Sequence, residues 1–559
     1  MCRRSRSSGW AAVPADAVVI HGHVYQPPRA DPRTGIVPVE PTAAPFHDWN
    51  ARINHECYRP NAFARVFDDQ GRIVRIVNNY ERMSFDLGPT LSHWLAEHAP
   101  DVLARMVDGD RLGQTAIAHP YHHTILPLAD PRDALTELRW GAAEFRHRFG
   151  RAPEGVWLPE AAIDPATAAM LISEGYAFTV LAPHQVERHP GAGRFGRTSA
   201  GLGVVVYDGA VSHDLAFGSL LSDTTALLDR LSCGLDGGVA VAAVDAETFG
   251  HHHRFTERGI AHALFELAPG RGLVTGPLAT FFAEAAAVAA LVDVGEVTVS
   301  SWSCAHGLGR WREDCGCSTD GGPGFNQAWR GPLRLALELL RDHSNAVFAR
   351  RGGVVFHDAW DARDAYGAVL ADPSAWPEFV ERHVRPMESH DEAQILLAAQ
   401  EATLASFTSC AWFFADLARR EVAIVLQEAA HAAALLARLG EHAPLDEARS
   451  ILGEARSNDL TLPTGREVWD WALQPAPVDA PGVPAPGPLQ PLLDRLIGEA
   501  FSVPGSAVQA AALILAADKA GSPLDLTRAQ ERVYEGLSRG SCPVELLESL
   551  GFAATVLAT

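Results

Sequence analysis

Two strand-like stretches of this sequence each end on a carboxylate. Glu160 closes the segment 155–159, and Asp245 closes the apolar run 239–244. Strands that stop at an acid and pass into a loop are typical of parallel α/β barrels, whose catalytic groups sit at the C-terminal ends of the strands. Two acids presented in this way suit nucleophilic and acid–base chemistry at an acetal carbon. We therefore predict that Glu160 and Asp245 are catalytic.

Each acid also has a structural interpretation that needs no chemistry. A good helix-forming stretch starts after Glu160, and acids favour the first turn of a helix. Asp245 precedes a polar loop and could cap a helix. The histidine run 251–253 favours the functional interpretation, because three consecutive imidazoles are unusual in an ordinary loop, although such a run can also bind metal.

Histidines follow two other strand-like stretches. The alternating pair His21 and His23 leaves the first stretch on one face, and the segment 119–123 adds three more imidazoles after another. Glu247 alternates with Asp245 in the same manner. Neutral imidazoles can donate to sugar hydroxyls or bind zinc. The residues expected to bind substrate are His21, His23, Trp157, His119, His122, Glu247, His251, Trp302 and Trp311.

Four potential metal ligands lie close together in a Gly-rich segment: Cys304, His306, Cys315 and Cys317. Soft ligands at this density suggest a zinc ion or an iron–sulfur cluster. The Cys-x-Cys spacing is tighter than the common two-residue spacer, and the alternative is a set of reduced cysteines that binds no metal. No other cofactor is expected.

Strand-like runs alternate with helix patterns over the first 330 residues, and this alternation predicts an α/β fold with a parallel sheet closed, or nearly closed, into a barrel. Later residues show 3.6-residue periodicity and predict packed helices. The predicted domains are a catalytic barrel at 17–330, a mainly helical domain at 331–474, a Pro-rich linker at 475–491 and a small helical unit at 492–559.

Composition and charge restrict the possible partners. The formal net charge is −22, from 68 acidic and 46 basic residues, which disfavours nucleic acid and anionic membranes and is compatible with a neutral sugar polymer. Eight cysteines in 559 residues do not resemble a secreted disulfide scaffold. The N-terminus lacks the continuous apolar stretch of a signal peptide, so we expect a cytoplasmic protein. The oligomeric state stays open.

Four motifs resemble those of glycoside hydrolase family 57, in the same order. They are His21-Gly22-His23 with Gln26-Pro27, the segment 119–127, Trp157-Leu158-Pro159-Glu160, and the segment 245–250. The family contains α-amylases, 4-α-glucanotransferases and α-glucan branching enzymes. The resemblance covers about residues 17–330, and segments 302–307 and 326–330 resemble a bacterial subgroup with an extra uncharacterised C-terminal region.

The resemblance implies an incomplete (β/α)7 barrel followed by a helical region. It also implies that Glu160 is the nucleophile and Asp245 the general acid/base of a retaining double displacement on an α-glucan, with His23 near the reacting sugar. The first motif departs from the family pattern, because Val24 and Tyr25 separate His23 from Gln26.

Two other functions stay open. One is a metal-dependent barrel hydrolase, similar to a deacetylase or an amidohydrolase, that uses the clustered histidines and Asp358. The other is a non-catalytic glycan-binding protein. The sequence does not distinguish hydrolysis from glucanosyl transfer or branching, because that choice depends on how acceptor sites exclude water.

Overall fold

The computed structural model describes residues 16–386, 390–475, 489–541 and 543–558. Its central element is a ring of seven parallel strands. They are β1 Ala17–Val24, β2 Ser84–Leu87, β3 Ala116–Ile117, β4 Gly155–Val156, β5 Phe178–Leu181, β6 Gly203–Val206 and β7 Val239–Asp245.

The ring is closed by hydrogen bonds everywhere except at one seam. Strands pair in the orders β7-β1-β2-β3 and β4-β5-β6, and a parallel bridge between Ala118 and Val156 joins β3 to β4. Between β6 and β7 the described residues form no ladder. A single backbone bond, from the N–H of Asp208 to the carbonyl of Val241 (2.7 Å), crosses there instead. The incomplete (β/α)7 barrel implied by the resemblance is confirmed.

On one face of β1 and of β7, the side chains change from apolar at one end of the barrel to polar at the other. Ala17 and Val19, with Val239 and Val241, pack in one apolar cluster that includes the helix Leu278–Ala287. The same faces continue, toward the C-terminal ends of the strands, to imidazoles on β1 and to a carboxylate on β7. The sequence pattern therefore places an apolar floor beneath a polar rim.

One strand-like run of the sequence lies outside the ring. Ile73–Val77 pairs antiparallel with Ala64–Phe67 in a separate hairpin. The second barrel strand is instead β2, whose residues Ser84 and Asp86 are fully buried. Further short strands are Gly196–Arg197, Val274–Thr275 and Val292–Asp293.

Helices surround the ring. Pro131–Phe149 begins at an Asp130 cap and ends at Gly150 in the left-handed conformation, as capping preferences predict. The barrel helices are Trp49–Ile53, Asn54–Tyr58, Arg59–Ala62, Pro89–His98, Pro100–Gly113, Pro131–Phe149, Pro165–Ser173, Gly209–Phe217, Thr224–Leu231, Thr256–His262, Ala263–Leu267, Ala268–Gly270 and Leu278–Ala287.

The helical region after the barrel has hydrophobic clusters of its own. Two clusters are built mainly from its helices, with Trp412 and Phe356 among their fully buried members. Its helices are Arg330–Val355, Ala359–Ala365, Gly367–Ala371, Trp376–His383, His390–Ala405, Cys410–Phe413, Arg420–Ala437, Leu445–Leu452 and Gly465–Ala472. The predicted helical bundle is confirmed.

The last helices, Gln490–Glu499, Ser506–Lys519 and Thr527–Ser538, pack onto the barrel. Their apolar residues belong to the same hydrophobic cluster as β1 and the barrel helices. Phe552 forms a bridge with Ile73 of the hairpin. Most of the predicted Pro-rich linker, residues 476–488, lies outside the described residues. None of the described helices combines the length and the apolar character that a membrane crossing requires.

Candidate active site

Three neighbouring strands align a row of polar side chains at the rim of the barrel. His23 in β1 is in register with Asp86 in β2 on one side and with Asp245 in β7 on the other. Asp86 accepts from His23 Nδ1 at 2.9 Å and from His21 Nε2 at 3.2 Å. The other ring nitrogen of His21, Nδ1, lies 3.0 Å from Ser84 Oγ. The register of the sheet therefore builds the row Asp86–His23–Asp245.

The charges in this row stabilise one another. Burial alone would raise the pKa of Asp86, but the imidazoles of His23 and His21 hold it well below its ordinary value. Burial also opposes protonation of His23, yet the carboxylate of Asp86, assisted by Asp245 and Glu160, raises the pKa of that imidazole. His23 therefore favours the charged form, held by a buried carboxylate.

Two further imidazoles face His23 from the loop after β3. His23 Nε2 lies 3.1 Å from His123 Nε2, and His123 Nδ1 lies 2.6 Å from Ser409 Oγ of the helical region. Burial lowers the pKa of His119 to about 4 and that of His123 well below its ordinary value. These neutral rings can therefore accept hydrogen bonds, and His119 Nε2 has no hydrogen-bond partner among the described residues.

Glu160 is held in a strained backbone conformation after β4. Its φ is 57° and that of Ala161 is 45°, a region that side chains rarely adopt and that is concentrated at functional sites. Its Oε2 accepts hydrogen bonds from Ser303 Oγ at 2.5 Å and from Trp302 Nε1 at 3.1 Å. The backbone N–H of Trp302 also donates to the backbone carbonyl of Glu160 at 2.9 Å. The segment around residue 302 thus fixes both the backbone and the carboxylate of Glu160.

The groups around Glu160 shift its pKa in opposite directions. Burial raises its pKa, and the negative charge of Asp245 adds to that increase. The Ser303 and Trp302 donors and the positive charge of Arg310 lower it. Asp245 is therefore close enough for its charge to act on the Glu160 carboxyl group.

Asp245 differs from Glu160 in its contacts. It is open to solvent at the end of β7, and no described residue donates a hydrogen bond to its carboxylate. Crowding by surrounding protein raises its pKa, opposed by His23 and His252. Burial, with the Asp245 charge, raises the pKa of the neighbouring Glu247 to about 8. The β7 rim therefore carries two acids whose pKa values are both raised.

Other predicted residues line or support this space. Gln26 Nε2 donates to Glu247 Oε1 at 2.5 Å, and His251 Nδ1 binds Glu56 Oε2 at 2.5 Å. The half-buried Trp302 meets Trp157 edge-on, with ring centroids 5.0 Å apart. Of these two indoles, only that of Trp302 is accessible to a ligand, because Trp157 is fully buried.

Four of the predicted substrate-binding residues do not reach the space. Trp157 is stacked beneath His21, with ring centroids 4.9 Å apart, and both are fully buried. His122 is turned toward Glu137 Oε1 (2.7 Å), so its neighbour His123 faces the site instead. Trp311 is fully buried in a cluster of the helical region.

Asp358, a candidate of the metal-hydrolase interpretation, lies outside the barrel rim. Its side chain accepts from the N–H groups of Trp360 and Asp361 and caps the helix Ala359–Ala365. The preceding residues Val354 and Val355 end a long helix and do not form a strand.

Sequence reasoning missed several residues that contact or surround the acids and the site histidines. Asp86 lies in a strand that contains Ser84 and resembles a loop because of these polar residues. Ser303 and Arg310 lie in a segment without periodicity, and Ser409 comes from the distant helical region. The one available signal was Asp86 itself. An aspartate buried between histidine-bearing strands needs a partner, because an unpaired buried carboxylate is costly.

Within the described part of the chain, three groups of side chains could hold a metal ion. They are Cys304, His306, Cys315 and Cys317; His23, His119 and His123; and Glu247, His251 and His252, each with its ligand atoms within 4.8 Å of one another. In the second group His23 already uses both ring nitrogens, on Asp86 and on His123. That group could bind an ion only by giving up this hydrogen-bond network.

Comparisons with known proteins divide the chain into two family regions. Residues 51–268 match the model of glycosyl hydrolase family 57, and residues 325–495 match a domain of unknown function, DUF3536. No curated protein matches the chain.

Two solved structures share the fold. An exo-type maltose-forming amylase from Pyrococcus sp. ST04 has a TM-score of 0.59 at 14% identity, covering 92% of this chain and 95% of that one. A family 57-type branching enzyme from Pyrococcus horikoshii has a TM-score of 0.52 at 13% identity, covering 85% and 99%.

Proposed function

The chain belongs to glycosyl hydrolase family 57 through its barrel, and on that premise we propose that it is a retaining glycoside hydrolase or glucanosyltransferase acting on α-glucans. The observation that carries this proposal is the pair of carboxyl groups at the C-terminal ends of β4 and β7, where the negative charge of Asp245 raises the pKa of Glu160. Two acids with different surroundings at a barrel rim are what a double displacement requires.

Glu160 has the environment of a nucleophile. Both side-chain donors bind Oε2, so Oε1 is the oxygen left to attack an anomeric carbon. Burial raises the pKa of Glu160 above its ordinary value, and the hydrogen bonds to its carboxylate and the charge of Arg310 offset part of that increase, in favour of the ionised form that a nucleophile needs. The strained backbone and the Trp302 N–H hold that oxygen in place.

Asp245 has the environment of the acid/base. Its pKa is raised, as is that of Glu160, but no described residue donates to its carboxylate, and its exposure allows proton exchange with water or with a departing sugar. In the first step Asp245 would protonate the glycosidic oxygen as Glu160 forms a glycosyl ester. In the second it would take a proton from the incoming hydroxyl, and the ester would break with net retention.

The substrate class rests on the names of the similar proteins and on the site. An amylase and a branching enzyme act on α-glucans, and the half-buried Trp302 beside Glu160 offers an aromatic surface of the kind that packs against sugar rings. The net charge of −22 is compatible with a neutral polysaccharide.

Product analysis on maltooligosaccharides tests the proposal. Only shorter sugars would indicate hydrolysis, longer ones transfer, and α-1,6 linkages branching. NMR of the first product should show the α-anomer. A β-anomer would exclude retention. Release of acetate or ammonia from modified substrates without new sugar ends would instead support the metal-dependent hydrolase.

A further inference from the structure

Four soft side chains converge beside the active site. Cys304 Sγ lies 3.9 Å from Cys315 Sγ, and Cys317 Sγ lies 3.4 Å from His306 Nδ1. All four potential ligand atoms lie within 4.8 Å of one another. The cysteines are free thiols and not disulfides, whose sulfur atoms would be about 2.0 Å apart.

These separations fit the edges of a zinc tetrahedron. With Zn–S bonds of about 2.3 Å and a Zn–N bond of about 2.0 Å, sulfur–sulfur edges are about 3.8 Å and sulfur–nitrogen edges about 3.5 Å. The observed 3.9 Å and 3.4 Å agree with both values. Three cysteines and one histidine are a known ligand set of structural zinc, whereas iron–sulfur clusters use mainly cysteine and hold their ligands around several metal atoms.

The local backbone is built to bring the four ligands together. Gly316, between the two cysteines of the Cys-x-Cys turn, has a φ of +78°, and Gly307, after His306, has a φ of +71°. A Cβ on Gly309 would lie 2.9 Å from the Cβ of Cys315. A side chain at these glycines would strain or obstruct the arrangement.

A buried guanidinium supplies an independent observation. Arg330 is fully buried, and no described carboxylate lies within ion-pairing distance of it. Its Nη1 lies 3.7 Å from Cys315 Sγ, and its Nη2 donates to the Phe414 carbonyl at 3.3 Å. An unpaired buried cation is costly. One Zn²⁺ with three thiolates carries a net charge of −1, which would balance Arg330.

We propose that Cys304, His306, Cys315 and Cys317 bind one structural Zn²⁺ that fixes the segment 300–317 against Glu160. This segment contributes Trp302, Ser303 and Arg310 to the environment of Glu160, and the ligands lie on both sides of Arg310 in the sequence. The ion contacts no substrate and takes no part in bond making. The positioning role rests on the proposed function of Glu160, but the zinc site itself does not.

Metal analysis of the full-length protein tests the site. We expect about one zinc per chain in protein purified without added metal, and its loss in Cys317→Ser and in Cys315→Ser/Cys317→Ser. Cys57→Ser removes a cysteine far from the cluster and should retain zinc, as should His119→Gln in the other imidazole group. Absence of zinc from wild type, retention in the double variant, or loss in His119→Gln would overturn the proposal.

Cobalt substitution covers the case in which a cysteine variant fails to fold. Wild-type protein stripped with chelator and reloaded with Co²⁺ should show thiolate-to-metal charge-transfer bands and the visible bands of a tetrahedral ion. Bands of an octahedral ion without thiolate transitions would contradict the ligand set.

The positioning role has its own measurement. We expect zinc-free protein to lose about a hundredfold in kcat/KM, the cost of roughly 1 Å of displacement at a catalytic group. The acidic limb of its pH profile should move to higher pH, because Glu160 loses donors that favour its ionised form. Readdition of zinc should reverse both changes.

Glu160 also faces other groups that titrate or carry charge: Asp245, His23, Arg310 and Cys410. Of these, only Arg310 lies on the zinc-bound segment, so the other three should titrate alike with and without zinc. An unchanged profile after zinc removal would overturn the positioning role. A protein that binds zinc in this site but processes no glucan would refute the proposed function and leave the zinc site standing.

Discussion

The β4 rim and the β7 rim of the barrel hold their acids in opposite ways. Glu160 is buried, its backbone is left-handed, and two side chains donate to one carboxylate oxygen. Asp245 is the last residue of its strand and has a negative φ of −59°, is open to solvent, and receives no hydrogen bond from a described side chain. The difference teaches that one acid is fixed in position while the other is free to exchange protons.

Holding Glu160 in its backbone conformation has an energetic cost that Asp245 does not share. A non-glycine residue held in the left-handed region costs on the order of 1–3 kcal/mol, and both Glu160 and Ala161 adopt it. The antiparallel bridge between Ile163 and Ser300 and the hydrogen bond from the Trp302 N–H hold this turn from outside. Rigidity at β4 therefore depends on a segment distant in sequence.

Removing the fixed acid should have the largest effect. Glu160→Gln keeps the shape but abolishes the nucleophile, so we expect kcat on maltooligosaccharides to fall by about a thousandfold or more. Glu154→Gln, an exposed carboxylate at the other end of β4, is the matched control and should retain activity. Near-normal turnover by Glu160→Gln would show that Glu160 is not the nucleophile, and the contrast between the two rims would lose its meaning.

Removing the free acid should give a loss that depends on the leaving group. Asp245→Asn lacks the proton donor, and we expect a loss of about 10²–10⁴-fold on maltooligosaccharides. An aryl α-maltooside, whose phenolate leaves without protonation, should be cleaved with a much smaller defect in the first step. Equal losses on both substrates would argue against a proton-donating role for Asp245.

Removing one hydrogen bond to Glu160 should have the smallest effect on activity. It should also show in which direction that hydrogen bond shifts the pKa of Glu160. Ser303→Ala removes a hydrogen bond to a charged group, and we expect kcat/KM to fall by about 10–100-fold. Activity requires ionised Glu160, and loss of the donor raises its pKa, so the acidic limb of the pH profile should shift to higher pH.

The control for this change is a hydroxyl in the same segment. Ser301→Ala removes a hydroxyl that donates to the Gly307 carbonyl and does not contact Glu160, so it should leave the acidic limb in place. A shift to lower pH in Ser303→Ala would mean that the hydroxyl does not stabilise the carboxylate.

The two rims also differ in how far the sequence could predict them. Glu160 and Asp245 were identified because each follows a run of strand-forming residues, and period-2 alternation placed His23 on the same face. Asp86 was missed because a buried aspartate makes β2 look unlike a barrel strand. Burial of polar residues depends on partners that only the fold supplies.

The orientation of side chains in loops was also difficult to predict from the sequence. His122 and His123 are adjacent in a loop without periodicity, and only the structure decides which one faces the site. Trp157 and Trp311 have the side chain of a sugar platform, but both are buried. Ser303 is brought to Glu160 by contacts between residues far apart in the sequence, which no local pattern records.

The bridge between Ile73 and Phe552 has a consequence for biosynthesis. The hydrophobic cluster around β1 is completed by residues that lie more than 460 positions later in the sequence, so a nascent chain leaves part of that surface uncovered until residue 552 has been synthesised. Ribosome-bound intermediates should accordingly depend on chaperones, and a premature stop before the last helices should yield an insoluble barrel and no smaller working enzyme.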